Sequence, residues 1–102
     1  MKIYMDDARE TPDGWTRTYT VEETITALLT RQVTHLSLDN DLGEGQPEGY
    51  KVIDWLEETV HGDMHFPMPE VYVHSSNASR VEYMHRALRA IENIRQQQVG
   101  GS

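Results

Sequence analysis

The chain has 102 residues, 37% of them hydrophobic, and 17 acidic side chains against nine basic give it a net charge of −8, which fits one small domain with a modest core. No run approaches the ~18 apolar residues of a membrane span, the start turns acidic too soon for a signal peptide, and without cysteine there is neither a disulfide framework nor thiol chemistry. Duplex nucleic acid is an unfavourable partner, because it needs clustered Lys and Arg; a small phosphorylated ligand needs only a local patch or a metal ion.

In chain order, residues 2–5 read as a first strand, and residues 8–14 as a turn-rich loop broken by Pro12 and Gly14. Residues 15–19, rich in Thr and aromatics, read as a second strand of open direction, since the loop before it is short for a parallel crossover. Thr20-Val21-Glu22-Glu23 is a capping box, opening a helix whose apolar face is Val21, Ile25, Leu28 and Leu29 and which stops near Arg31 or Gln32. Residues 33–38 form a third strand, followed by a Gly-rich acidic loop over 40–48. A second helix begins near Gly49 or Tyr50, with Val52, Ile53, Leu56 and Val60 as its stripe and Gly62 as its C-terminal cap. After the extended Phe66-Pro67-Met68-Pro69 come a fourth strand over 70–74 and a third helix. Ser76 or Asn77 caps that helix, and Val81, Met84, Leu88, Ile91 and Ile94 face its core. Residues 1–95 make one domain and 96–102 a frayed tail. Strands alternating with helices predict an α/β fold with a parallel sheet covered on both faces.

Three polar clusters end apolar runs: Asp6-Asp7, Asp39-Asn40-Asp41 and His74-Ser75-Ser76-Asn77. In a parallel sheet all three fall on the carboxyl edge, where open α/β sheets bind ligands. Aspartates gathered there need a divalent cation or a proton among them. Asp6, Asp7 and Asp39 are therefore candidate ligands of Mg²⁺ or Mn²⁺, hard cations that prefer oxygen. Asp39 and Asp41 are candidates for base or nucleophile, and His74 for proton donor. Ser75, Ser76 and Asn77, with the N-terminus of the following helix, could cradle phosphate, and Arg9 and Arg80 could fork onto its oxygens. Each cluster has a plainer alternative: a solvated turn, a helix cap or an ion pair. Trp15 and Trp55 read first as packing residues, with Trp15 in the open loop also able to stack on a base.

The same motifs carry a resemblance. Ile3-Tyr4-Met5-Asp6-Asp7, Leu36-Ser37-Leu38-Asp39 and Val71-Tyr72-Val73-His74-Ser75 resemble the strands of response-regulator receiver domains. The chain is most similar to a compact offshoot of these, the cyclic-phosphate-processing receiver-like family. The matching segments are Met5-Asp6-Asp7-Ala8-Arg9-Glu10-Thr11-Pro12, Ser37-Leu38-Asp39-Asn40-Asp41-Leu42-Gly43, residues 49–56, and Val73-His74-Ser75-Ser76-Asn77. The resemblance implies a flavodoxin-like parallel sheet of about four strands with three helices, lacking the first receiver helix and the fifth strand. It also implies processing of cyclic phosphates or cyclic nucleotides in microbial and viral conflict; the composition, without cysteine or a membrane span, makes the cytosol of a bacterium or a phage-infected host the expected setting. Asp6, Asp7, Arg9, Asp39, Asp41, His74 and Asn77 are the residues it carries over. Asn40 departs from a His common in relatives, and the receiver's signalling lysine has no counterpart.

The expected function is a metal-dependent phosphoesterase acting on a small cyclic phosphate or cyclic nucleotide. The alternatives are a module that binds such a ligand without cleaving it, and a degenerate receiver that acts through protein contacts. The oligomeric state is left open.

Overall fold

In a computed structural model of the protein, the backbone is described for residues 1–100 and the side chains for residues 1–97. Four short strands, β1 (Lys2–Met5), β2 (Thr16–Thr18), β3 (His35–Leu38) and β4 (Glu70–Val73), form one sheet in the order β2-β1-β3-β4. Every neighbouring pair is parallel, which settles the direction of the second strand. A loop of residues 6–15 returns the chain to β2 without a helix. Extended backbone spans about 3.4 Å per residue, so that loop easily retraces a strand as short as β2.

Three helices complete the fold: α1 (Val21–Leu29), α2 (Tyr50–Gly62) and α3 (Ala78–Gly100). Thr20 caps α1, its hydroxyl accepting from the Glu23 amide at 3.1 Å. The Glu23 carboxylate reaches back to the amide of Tyr19, one residue earlier than the usual box. The helix ends sooner than predicted, with Thr30 as C-cap and Arg31 in the left-handed region at φ 63°. Its buried face is Val21, Thr24 and Leu28, with Ile25 half-buried, while Leu29 lies 62% exposed in the final turn. Thr24 takes a core position because its hydroxyl is satisfied by Thr18 at 2.7 Å.

The predicted stripe of α2 is buried throughout, but Gly62 is the last helical residue and Asp63 is the C-cap. Asn77 caps α3, with Oδ1 accepting from the Arg80 amide at 3.3 Å. Helix α3 runs to Gly100, past the point where the sequence suggests fraying; Gly101 and Ser102 of that tail lie outside the described residues. No helix among the described residues is long and apolar enough to cross a membrane.

Ile3, Met5, Leu36 and Leu38 pack with Val21, Leu28, Val52, Ile53, Leu56, Met84 and Ile91 in one core. The predicted cover on both faces is not what forms. Connections β2-α1-β3 and β3-α2-β4 step across the sheet in the same direction, so right-handed crossovers set both helices on one side. Helix α3 packs beside α2, where Tyr83 donates to Asp54 at 3.1 Å. Only the step from β1 to β2 runs the other way, and it carries a loop instead of a helix. The opposite face is left to the alternate residues of the strands.

Candidate functional site

The carboxyl ends of β1, β3 and β4 stand side by side, because Met5, Leu38 and Val73 share one register row. The ladder continues one step into the polar clusters, with the Asp39 amide donating to Met5 and the His74 amide to Leu38, each at 3.0 Å. This places Asp6, Asp39 and His74 next to one another.

Asp6 is fully buried yet completely partnered. Its Oδ1 accepts from the amides of Ala8 at 2.8 Å and Arg9 at 2.9 Å. Its Oδ2 faces Arg9 Nη1 at 3.2 Å and His74 Nε2 at 2.9 Å. Burial by itself raises the carboxyl's pKa, but the two amides, then the imidazole and the guanidinium, outweigh it and hold Asp6 below the ordinary aspartate value. Arg9 also lies 3.8 Å from Asp39 Oδ2, so one guanidinium bridges two buried carboxylates.

Asp7 is exposed and completes a group with Asp6 and Asp39 in which one oxygen from each lies within 4.8 Å of the others. The Gly-rich loop passes close by: a Cβ on Gly43, at φ 105°, would stand 3.4 Å from Asp7 Oδ2. Three carboxylates gather here and one guanidinium meets two of them, an all-oxygen set with unbalanced negative charge. That chemistry suits a hard divalent cation.

His74 is held at both nitrogens. Nε2 donates to Asp6, and Nδ1 receives the Ser37 hydroxyl at 2.7 Å. Its ring stacks on Tyr4, with centroids 4.3 Å apart and planes at 4°. Burial lowers its pKa more than the Asp6 and Asp39 carboxylates restore it. That shift favours the neutral imidazole, whose two hydrogen bonds orient Asp6.

The other predicted residues make contacts of their own. Asp41 is exposed, outside the three-carboxylate group, and accepts from Asn40 Nδ2 at 3.3 Å. Ser75 Oγ accepts from the Asn77 amide at 3.1 Å, Ser76 is exposed, and Asn77 caps α3. Arg80 reaches Glu48 at 3.4 Å and lies 4.8 Å over the Tyr50 ring, so it ties α3 to the loop before α2. Asn40 is fully buried, with Nδ2 on Glu48 at 3.2 Å and Oδ1 receiving the Tyr50 amide at 3.1 Å. Its amide braces the turn into α2. Sequence reasoning missed Tyr4 and Ser37 as supports of the site. The available signal was a lone small polar residue, Ser37, in an otherwise apolar run.

Residues 1–90 match the family model of the cyclic-phosphate processing receiver domain. The chain belongs to that family. The strand order of this cyclic-phosphate processing receiver domain, β2-β1-β3-β4, is that of the first four strands of the flavodoxin-like sheet. No curated protein and no solved structure gives a significant match to this receiver domain.

Proposed function

We propose that this domain is a metal-dependent phosphoesterase that takes a small cyclic phosphate or cyclic nucleotide at the edge formed by Asp6, Asp7, Arg9 and Asp39. The observation that carries the reading is the approach of one oxygen from each of three carboxylates to within 4.8 Å, two of them bridged by a guanidinium, at the carboxyl edge of a parallel sheet. Asp6, Asp7 and Asp39 would hold Mg²⁺ or Mn²⁺. When bound, such a cation polarises a phosphoryl oxygen and lowers the pKa of water. Arg9, whose side chain is 43% exposed, bridges the acids and turns outward to meet phosphate oxygens when its charge there is replaced. His74 and Ser37 keep Asp6 aimed. Asp41, exposed beside the cluster, orients the attacking water.

The test is incubation of the protein with a panel of cyclic nucleotides and other cyclic phosphates in Mg²⁺ or Mn²⁺, with product detection. The expected result is turnover that chelation abolishes and that Asp39→Asn lowers by at least about tenfold, since loss of a direct ligand outweighs the change of a supporting one. Absence of both turnover and metal binding would overturn the reading. A second reading, capture without cleavage, is favoured by one observation: both nitrogens of His74 are engaged, so the edge has no free imidazole acid. Calorimetry separates the two, because ligand recovered intact after tight binding supports capture.

A further inference from the structure

The sheet face without helices has a chemistry of its own. Arg17, Tyr4, Ser37 and Tyr72 share one register row across it, and Lys2, His35 and Glu70 share the next. No strand position on this face carries an aliphatic side chain. Trp15 sits over it, edge-on to Tyr4 at 6.3 Å and to His35 at 6.4 Å, with Lys2 Nζ 5.7 Å from its ring. The His35 and Tyr72 rings are parallel within 3°, with centroids 6.5 Å apart, and Tyr72 is 45% exposed. Glu70, the acid on this face, lies 3.5 Å from His35 Nε2, and its carboxylate raises the pKa of the Tyr72 hydroxyl. The centre of the face is closed, because Tyr4 and Ser37 are buried, and Arg17 is held by the Thr11 hydroxyl at 2.8 Å and the Tyr19 ring, so the Trp15, His35 and Tyr72 rings with Lys2 are what the surface offers.

We infer that this face is a stacking platform for the nucleobase of a mononucleotide whose phosphate lies at Arg9. The inference rests on the proposed phosphate site and names its substrate class, a nucleoside cyclic phosphate in place of a sugar or polyol phosphate. Three features support it. A flat heterocycle stacks on exposed aromatic rings, and Trp15, His35 and Tyr72 present such rings on this face. Lys2 and Arg17 give a local positive charge on a chain of net −8, complementary to an anionic ligand. The platform is also continuous with the edge: His74 stacks on Tyr4 and donates to Asp6, and one loop carries both Arg9 and Trp15. A longer nucleic acid would need a row of cations beyond these to follow its backbone.

The experiment uses the full chain with Trp55→Phe, which leaves Trp15 as the single indole; Trp55 packs edge-on to Phe66, apart from this face. Adenosine 2′,3′-cyclic phosphate, adenosine, and glycerol 1,2-cyclic phosphate are titrated against Trp15 fluorescence, and the wild type is followed by calorimetry. The cyclic nucleotide is expected to bind at least about fivefold more tightly than the base-free phosphate, the low end for one base stacked on an aromatic. Tyr72→Ala, at an exposed position, and Trp15→Leu should both erase that advantage and leave the base-free phosphate unchanged. Equal affinities for the two phosphates, or no response of Trp15 to either adenosine compound, overturns the platform while the phosphate reading stands. Quenching by adenosine without binding of base-free phosphate keeps the platform and removes the phosphate site. A single-stranded oligonucleotide binding far more tightly than the mononucleotide, or a solution dimer that buries Tyr72, also overturns it.

Discussion

At Ser37, β3 carries a small side chain between Tyr4 and Tyr72 in the register row, and the Tyr4 and His74 rings stack nearby. Its hydroxyl leaves Nε2 of the neutral His74 as the donor to Asp6. Ser37→Ala is expected to cost about 1 kcal/mol in chemical denaturation, the ordinary price of a lost hydrogen bond, and Ser37→Val more, because its bulk also crowds the stack. His74 gives a pH signature. Its folded pKa lies below the ordinary 6.5, so the unfolded chain binds the extra proton. The resulting stability is complete above the ordinary value and is lost as pH falls from there toward the lowered one. Asp6, lowered from 3.8, adds a contribution complete above that value and lost as pH falls through its folded pKa. Denaturation midpoints for the wild type should therefore fall in two stages on acidification, and His74→Gln should remove the upper stage. A single fall near the carboxylate range in the wild type would contradict this.

At the scale of elements, the entry to α2 is the tightest joint. A Cβ on Gly49 would stand 1.9 Å from the Asp39 carbonyl oxygen and 2.9 Å from Asn40 Cα, both backbone atoms that cannot swing aside. Gly49→Ala is expected to destabilise by about 3 kcal/mol or more, in the range of a severe backbone or core error, and to weaken metal binding as Asp39 shifts. Thermal unfolding and a Mn²⁺ titration check both effects. Thr20→Ala, which removes the α1 cap, should cost only about 1 kcal/mol and leave metal affinity alone. The contrast separates damage to the site from damage to the fold.

For the whole molecule, the sheet edge gathers acids that repel one another, so a bound divalent cation should stabilise the protein. At a hundredfold excess over Kd, Mg²⁺ or Mn²⁺ should add about 2.7 kcal/mol, seen as a rise in Tm that chelation reverses and that Asp39→Asn cuts by about half or more. Strand periodicity, the capping box at Thr20 and the stripe on α2 were legible in the sequence, because each rests on neighbours within a few residues. The four motifs in order carried the family, and the polar ends of the apolar runs carried the carboxylate cluster. Three things were decided by tertiary structure alone: the helix-free sheet face, the second partner of His74, and the contacts by which Asn40 and Arg80 brace α2 and α3. Each depends on which side of the sheet a crossover takes and on contacts between residues tens of positions apart, information that local spacing does not contain.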